Sequence, residues 1–400
     1  MFLQFRRAAS NVFDMFDRYL MRHIEKLSMQ FPAVMLLGPR QCGKTTLVRS
    51  GFSGSYFDLE KPSDVQVLTG DVEGALRRFP EPILLDEAQR LPEIFPVLRA
   101  LIDESRRRTG RFILLGSVDP SLKKEVSESL AGRIGIAELT PLLFREVHGI
   151  PLGRFWHRGG FPDALLASDN EAWNLWHLNY VRTFVERDLA RFGSHQSPEQ
   201  MHRLLAMLAG QQGGLLNASA IGRALGVSYH VIERLLDLFE GHFILRRLPP
   251  FYANVGKRLV KSPKIYIRDS GMVHHLLQVD SEATLNRSMV RGHSWEGFVL
   301  EQIIAWLTVT APGARAYFYR TQTGEEVDLL VDRGTSRTGI EVKCSTTLEP
   351  DAGRGLRRAL SDGVISAGII LYLGEREFEI RDGIRVLNAE NAIKGGFELQ

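Results

Sequence analysis

Short apolar runs separated by helical stretches mark the first third of the chain. The runs occupy residues 33–37, 55–59, 83–85, 112–115 and 134–139, and Pro141 follows the last of them. Strands that alternate with helices form a mostly parallel sheet with helices on both faces. We therefore predict an α/β domain over residues 31–150. An amphipathic helix is predicted within residues 1–30, with apolar positions Val12, Phe13, Phe16, Tyr19, Leu20, Ile24 and Leu27.

Helical spacing dominates the middle of the chain. Apolar side chains recur at helical intervals over residues 173–189, with Arg and Glu between them. Residues 217–250 predict a helix that starts near Asn217, a turn at Gly226, a second helix capped by Ser228, and then a strand. This order is typical of a helix-turn-helix followed by a wing. We predict a helical and winged-helix region over residues 151–290.

The pattern changes again near residue 291. It predicts two helices, at 294–309 and 351–361, and four strands, at 316–320, 326–331, 339–344 and 367–373. Strands and helices intermixed in this way indicate a further α/β domain over residues 291–400.

Composition narrows the class of protein. The 400 residues are 44% hydrophobic and 24% charged, which is typical of globular chains. The net charge of +3 does not by itself indicate a nucleic-acid binder, so any basic surface must be local. Two cysteines exclude a disulfide framework and a structural zinc cluster, and favour a reducing compartment. The first residues lack the apolar stretch of a signal peptide, and no apolar run approaches the ~20 residues of a membrane span. We expect a cytoplasmic protein.

A phosphate-binding loop connects the first predicted strand to a helix. Residues 38–45 fit the pattern GxxxxGK[ST], and the loop comprises Gly38, Pro39, Arg40, Gln41, Cys42, Gly43, Lys44 and Thr45, with Thr46 opening the helix. The glycines let backbone N–H groups approach the phosphates, and the helix N-terminus adds a positive dipole end. Lys44 supplies charge to the β- and γ-phosphates, and the Thr45 hydroxyl can ligate Mg²⁺. The sequence therefore predicts an ATP and Mg²⁺ site.

A pair of carboxylates supports this interpretation. Asp86 and Glu87 follow the apolar strand at 83–85. At that strand end Asp86 can face Mg²⁺, and Glu87 can orient or deprotonate the attacking water. Ser117, which follows the strand at 112–115, is a candidate sensor of the γ-phosphate, although an ordinary strand end is an equal alternative.

Several stretches make the chain resemble known families. They are GPRQCGKTTL, ILLDEAQRLP, the LAGR–ELTPLLFREV segment, GGFP and RLVKSPKIYIRDSGM. Residues 31–141 resemble the ATPase domain of the AAA+ superfamily. The whole chain is similar to a prokaryotic family of uncharacterised ATPases with a C-terminal domain of unknown function. The resemblance implies Mg-ATP binding by Gly43, Lys44, Thr45 and Asp86, with Glu87 catalytic. Val118 departs from the pattern, because a polar residue is expected beside the sensor serine.

A basic segment lies between residues 243 and 268. It contains no acidic residue, four aromatic residues and seven basic ones: Arg246, Arg247, Lys257, Arg258, Lys261, Lys264 and Arg268. Clustered Lys and Arg beside a helix-turn-helix are the electrostatic signature of DNA or RNA binding, here through phosphates. A solvated face, or contact with acidic parts of the chain's own domains, is the alternative.

The last domain carries a second candidate site. Asp328 and Glu341 fall on adjacent predicted strands joined by the loop 333–338, and Lys343 shares a face with Glu341. Two carboxylates can hold Mg²⁺, while a lysine polarises water or stabilises a phosphorane. With Glu296 on the preceding helix, this arrangement is similar to the PD-(D/E)xK nucleases, a restriction-endonuclease-like fold. That resemblance implies cleavage by Asp328, Glu341 and Lys343, with Glu296 as a helper, unless the domain is an inert platform.

Together these features predict an ATPase that couples ATP binding and hydrolysis to a nucleic-acid or protein partner. Two alternatives stay open. The first is an ATP-gated, metal-dependent nuclease, and the second is a nucleotide-switched DNA-binding regulator without turnover. The sequence leaves the oligomeric state open.

Overall fold

The chain folds into two compact units. The computed structural model describes residues 16–116, 128–188, 196–252 and 262–395. The first unit is Met1–Leu142 with Gly241–Phe243, and the second is Leu143–Glu240 with Ile244–Gln400. Each unit is described separately below.

The first unit is a five-stranded parallel sheet with helices. Its strands are β1 (Ala33–Leu37), β2 (Ser55–Asp58), β3 (Ile83–Asp86), β4 (Phe112–Gly116) and β5 (Ile134–Glu138). Its helices are α1 (Leu20–Gln30), α2 (Lys44–Gly51), α3 (Pro62–Thr69), α4 (Val72–Arg78) and α5 (Ile94–Glu104), with a short helical turn at Ala88–Arg90. The strand order is β2-β3-β4-β1-β5, and every pairing is parallel. This confirms the predicted α/β class and the P-loop NTPase arrangement. Residues 12–15 of the predicted leading helix lie outside the described part of the chain.

Burial explains why the strand sequences are continuously apolar. All residues of β1, β3 and β4 are buried, as expected for central strands covered on both faces. Helix α5 contributes Ile94, Phe95, Leu98, Leu101 and Ile102 to the same core. The edge strand β5 differs, because its Ile136 is 55% exposed.

The second unit begins with helices. They are α6 (Leu152–Arg158), α7 (Pro162–Leu165), α8 (Asn170–Thr183), α9 (Pro198–Gly210), α10 (Ala218–Leu225), α11 (Tyr229–Gly241), α12 (Ser270–Leu276) and α13 (Glu282–Arg287), with helical turns at Phe144–Glu146 and Phe184–Asp188. Asn217 caps α10 by accepting from the Ala220 N–H, and Gly226 adopts φ 70° at the turn into α11. After α11, strands β6 (Leu245–Leu248) and β7 (Lys264–Ile267) pair antiparallel.

A mixed sheet completes the second unit. Its strands are β8 (Arg315–Arg320), β9 (Glu326–Asp332), β10 (Arg337–Val342), β11 (Ala367–Tyr372), β12 (Phe378–Ile380) and β13 (Ile384–Asn388). The accompanying helices are α14 (Arg291–Thr310), α15 (Arg354–Ser361) and α16 (Ala389–Gly395), and a helical turn spans Arg381–Gly383. The strand order is β12-β13-β11-β10-β9-β8. Strands β9 and β10 pair antiparallel, as expected for the predicted hairpin. Within the described residues, no helix has both the length and the apolarity to cross a membrane.

Histidine and tryptophan rings fill the centre of the second unit. His274 on α12 stacks on His157 of α6, with ring centroids 5.6 Å apart. Its Nδ1 lies 2.8 Å from the His157 carbonyl oxygen, so this nitrogen carries the proton. The Trp156 indole donates to Ser294 Oγ (3.0 Å), which leaves the Ser294 hydroxyl to donate to His274 Nε2 (2.7 Å). Burial lowers the pKa of His274 to about 3, so the ring is neutral in the folded protein.

Candidate functional site

The phosphate loop lies at the carboxyl end of β1, where the sequence predicts it. Gly43 precedes α2 with φ 97°, in the left-handed region that favours glycine. Gly38 passes so close to the chain that an added Cβ would lie 2.3 Å from the Leu139 carbonyl oxygen. Both glycines are therefore required by backbone geometry.

Lys44 projects back across this loop. Its side chain is buried, and its Nζ donates to the carbonyl oxygens of Gly38 (3.0 Å) and Pro39 (2.8 Å). These partners are neutral dipoles, so the charge of the ammonium is not cancelled by a carboxylate. The loop thus holds a positive charge beside the N-terminus of α2, the arrangement that binds phosphate groups.

The other loop residues take varied positions. Cys42 is buried, with its Sγ 3.6 Å from the Leu139 carbonyl oxygen, and Gln41 is exposed at φ 59°. Arg40 and Thr46 are half-buried. Ser117, the candidate sensor, lies outside the described residues together with Val118, and β4 ends just before it at Gly116.

Asp86 ends β3 beside the loop. Its Oδ2 accepts hydrogen bonds from Thr45 Oγ1 (2.5 Å) and from the Tyr56 hydroxyl (2.9 Å). Burial, followed by the charge of Asp86, raises the pKa of Tyr56, so this hydroxyl is a donor. Threonine hydroxyl and aspartate are thus within contact distance, and both are oxygen ligands that suit Mg²⁺.

Glu87 follows at φ 53°, an uncommon conformation for a residue with a side chain. This turn directs the chain from β3 into the short helical turn at Ala88–Arg90. Glu87 Oε2 accepts a hydrogen bond from Gln89 Nε2 at 2.5 Å. The structure therefore places the proposed catalytic carboxylate one residue from the proposed metal ligand.

The second candidate site is a cleft of about 500 Å³ in the second unit, lined in part by Glu326, Asp328, Glu341 and Lys343. Continuing the β9–β10 register places Asp328 opposite Glu341, and the Val342 N–H donates to Asp328 Oδ2 at 2.8 Å. Lys343 Nζ pairs with Glu341 Oε1 at 2.8 Å. The structure thus brings the three predicted residues together.

Glu296 reaches the same cluster from α14. One oxygen each of Glu296, Glu326 and Asp328 lie within 4.8 Å of one another, close enough to share a metal ion. Glu341 Oε2 is buried without a hydrogen-bond partner, so an oxygen ligand is available beside this group. Carboxylate oxygens suit Mg²⁺ or Mn²⁺, and these residues therefore fit such an ion.

A lysine from another strand enters this carboxylate group. Lys264 Nζ lies 2.9 Å from Glu296 Oε1 and 3.8 Å from Asp328 Oδ1, and it contacts Glu326 Oε1. Burial opposes ionisation of Glu296, but the Lys264 charge, the nearby His293 and a hydrogen bond from the Tyr266 hydroxyl (2.6 Å) lower its pKa to about 2. Burial, together with the Glu296 charge, raises the pKa of Asp328 to about 7.

The described basic side chains of residues 243–268 form ion pairs with acidic residues of the same chain. Arg246 and Arg268 both bind Glu301, Arg247 binds three carboxylates of α11, and Lys264 binds the cluster above. Lys257, Arg258 and Lys261 lie outside the described residues. For these four side chains the structure thus agrees with the alternative to nucleic-acid binding, which is contact with acidic parts of the chain's own domains.

Three contributors to these sites were not predicted. Tyr56 and Lys264 approach from distant segments, so no local pattern signals them. Glu326 stands two residues before Asp328 and shares its strand face, and this alternation is the signal that identifies it.

Known families match three stretches of the chain. Residues 30–148 match an AAA domain, residues 151–283 a domain of unknown function (DUF8612), and residues 291–392 a domain of unknown function (DUF4143). The AAA resemblance and the C-terminal domain of unknown function are thereby confirmed. The nuclease-like fold of that domain stays a prediction.

Two solved structures are similar to part of this chain. The Walker-type ATPase PABY2304 of Pyrococcus abyssi is 16% identical, with a TM-score of 0.44, over 66% of this chain and 96% of that one. The ORC1 protein of Aeropyrum pernix, solved in complex with DNA, is 14% identical, with a TM-score of 0.28, over 67% of this chain and 92% of that one.

Curated relatives extend over most of the chain. The uncharacterized protein Rv2008c of Mycobacterium tuberculosis is 41% identical over 368 residues, which are 91% of this chain and 82% of that protein. The uncharacterized protein Mb2031c of Mycobacterium bovis gives the same values. This chain therefore belongs to the same family as these mycobacterial proteins, and its first domain is an AAA-type P-loop ATPase domain.

Proposed function

We propose that the protein binds Mg-ATP at the loop of residues 38–46 and hydrolyses it. The observation that carries this proposal is the 2.5 Å hydrogen bond between Thr45 Oγ1 and Asp86 Oδ2. It joins the end of the phosphate loop to the end of β3, with Lys44 on one side and Glu87 on the other.

Each residue has a chemical role in this reaction. Lys44 and the backbone N–H groups at the start of α2 bind the phosphates, while Thr45 and Asp86 hold Mg²⁺. The ion, when bound, neutralises charge that develops on the transferred phosphoryl group. Glu87 accepts the proton of the attacking water or orients that water.

Two substitutions test these roles. Lys44→Ala should abolish ATP binding in calorimetry, whereas Lys26→Ala, an exposed lysine on α1, should leave it unchanged. Glu87→Gln should retain binding but reduce phosphate release by about 100-fold. Unchanged affinity in Lys44→Ala would refute the site assignment, and unchanged turnover in Glu87→Gln would refute the assignment of the base.

We further propose that nucleotide state is coupled to a nucleic-acid or protein partner. The order of elements, helices α9, α10 and α11 followed by the paired strands β6 and β7, is the one expected of a winged helix, and it supports a DNA partner. Exposed residues near the α10–α11 turn include Arg223, Tyr229, His230 and Arg234. These residues are the candidates for phosphate contact, rather than the four basic side chains that are already paired with carboxylates of the chain.

Hydrolysis measured with and without duplex DNA, single-stranded DNA and RNA tests this coupling. A stimulated rate that falls in the Arg223→Ala/Arg234→Ala variant, but not in Lys394→Ala, supports DNA or RNA contact at this turn. Binding of ATP without phosphate release under every condition favours the nucleotide-switched regulator.

A metal-dependent nuclease is the second candidate function. The convergence of Asp328, Glu341 and Lys343 in one cleft favours it. Lys343 is partly exposed, so its ammonium can stabilise charge on a phosphate that enters the cleft. Cleavage of DNA or RNA in Mn²⁺ that is lost in Asp328→Asn and Lys343→Met, but kept in Glu390→Ala, would support it. A full lack of cleavage with every substrate would refute it.

A further inference from the structure

Lys264 is the most enclosed lysine of the second candidate site. It opens β7, and its residue surface is only 2% exposed. Its ammonium contacts Glu296 of α14 and both Glu326 and Asp328 of β9. One side chain of the β6–β7 hairpin thus occupies the centre of a carboxylate group built from two other elements.

The ammonium stands where a divalent cation would be bound. The three carboxylate oxygens lie within 4.8 Å of one another, and Lys264 Nζ contacts each of their side chains. A Mg²⁺ ion requires oxygen ligands at about 2.1 Å, so it would have to share this small volume with the ammonium. Like charges at that distance repel strongly in a buried site. Lysine and metal ion therefore exclude each other.

The cluster contains more carboxyl groups than permanent cations, unlike a simple ion pair of one acid and one base. Glu296, Glu326 and Asp328 face Lys264, and the partly exposed Arg320 pairs with Glu326 at 3.1 Å. His293 lies 3.9 Å from Glu296, on the exposed side. Three carboxyl groups thus meet two permanent cations, and Asp328, with its raised pKa, carries only part of a negative charge at neutral pH. Beside them, Glu341 Oε2 is nine-tenths buried without a hydrogen-bond partner and lines the same cleft as Glu326 and Asp328.

We infer that Lys264 is a built-in competitor for a divalent cation at Glu296, Glu326 and Asp328. The cation, of the Mg²⁺ or Mn²⁺ class, binds when this side chain withdraws from the carboxylates. Because Lys264 belongs to the β6–β7 pair that follows helices α10 and α11, a shift of that pair changes the metal occupancy of the cleft. The inference deepens the second proposed function, since it concerns control of the same cleft.

Direct Mn²⁺ binding tests this inference without relying on catalysis. Titration of the full-length, nucleotide-free protein, followed by electron paramagnetic resonance of free Mn²⁺, compares wild type with Lys264→Met and Lys264→Arg. We expect affinity to rise by about tenfold or more in Lys264→Met and to stay at the wild-type level in Lys264→Arg, which retains the charge. Lys394→Met, which removes an exposed ammonium, is the control and should not change binding.

A double variant tests whether the gain in Mn²⁺ affinity comes from the carboxylates. Lys264→Met with Glu296→Gln should lose the added affinity, because a ligand is removed with the competitor. Equal Mn²⁺ affinity in wild type and Lys264→Met would overturn the inference. If Lys264→Met does not fold by circular dichroism, Lys264→Gln provides the same comparison with hydrogen bonding retained, and lack of a gain there is equally decisive. A gain in Mn²⁺ binding without DNA cleavage would refute the nuclease function while supporting the role of Lys264.

Discussion

Lowering the pH should destabilise the second unit through His274. The ring is fully buried, and its neutral form satisfies both nitrogens, since Nδ1 donates to the His157 carbonyl and Nε2 accepts from Ser294. A second proton would put an uncompensated charge in this buried position and would leave the Ser294 hydroxyl without His274 Nε2 as its acceptor. The folded protein therefore keeps this histidine neutral at pH values where an exposed histidine is charged.

The magnitude follows from the difference in pKa between the two states. His274 has a pKa of about 3 in the folded protein against 6.5 in an unfolded chain. The unfolded state thus binds more protons between these values, so stability is fully present above pH 6.5 and falls as the pH drops toward 3. At pH 5 the solution is about 1.5 pH units below the pKa of the unfolded chain, while the folded protein still keeps His274 neutral. This corresponds to a loss of about 2 kcal/mol in the free energy of unfolding relative to neutral pH.

Several other groups face this ring. Burial also lowers the pKa of His157, which stacks on this ring, while Asp269 raises and His177 lowers the pKa of His274. The pH response of wild type therefore contains more than one contribution. A comparison with His274→Gln isolates the contribution of His274.

Urea unfolding followed by tryptophan fluorescence provides the assay, because all five tryptophans, at 156, 173, 176, 295 and 306, belong to the second unit. Between pH 7 and pH 5, wild type should lose about 2 kcal/mol more than His274→Gln. His230→Gln, an exposed histidine on α11, should respond as wild type does. Equal losses in wild type and His274→Gln would refute the neutral, buried assignment.

Three further substitutions have defined outcomes. Tyr56→Phe removes one hydrogen bond to Asp86, which should raise the Mg²⁺ concentration needed for half-maximal ATP hydrolysis about fivefold and leave Mg²⁺-free ATP binding unchanged. Gly38→Ala places a Cβ 2.3 Å from the Leu139 carbonyl oxygen and should abolish ATP binding in calorimetry, whereas Gly70→Ala, with open space around it, should not. Glu301→Leu leaves Arg246 and Arg268 without their shared carboxylate and should cost about 3 kcal/mol in urea unfolding of the second unit.

The sequence predicts best what is local along the chain. The phosphate loop is contiguous, and its neighbours β1 and α2 have strong patterns of their own, so the positions of Gly43, Lys44 and Thr45 follow directly. Asp86 and Glu87 follow from the rule that parallel strands end at one edge of the sheet. The hairpin of β9 and β10 is also predictable from local sequence. Side chains alternate with period two along each strand, so Asp328 is expected across from Glu341.

Charge neutralisation is not local, and the basic segment shows why. Residues 243–268 contain no acid, yet the partners of Arg246 and Arg268 come from α14, and those of Arg247 come from α11. A count of charges within the window cannot include these partners. The same limit applies to Tyr56, whose hydroxyl reaches Asp86 over a separation of 30 residues.

Lys44 and Lys264 show how the surroundings of one residue type select opposite ligands. Both ammonium groups are buried, and both have several partners. The partners of Lys44 are backbone carbonyls, which carry no net charge, so its positive charge remains available to phosphate. The partners of Lys264 are three carboxyl groups, which outnumber it, so its surroundings attract a divalent cation that would take the place of the ammonium. An anion is therefore expected at the first lysine, and at the second a metal ion that competes with it.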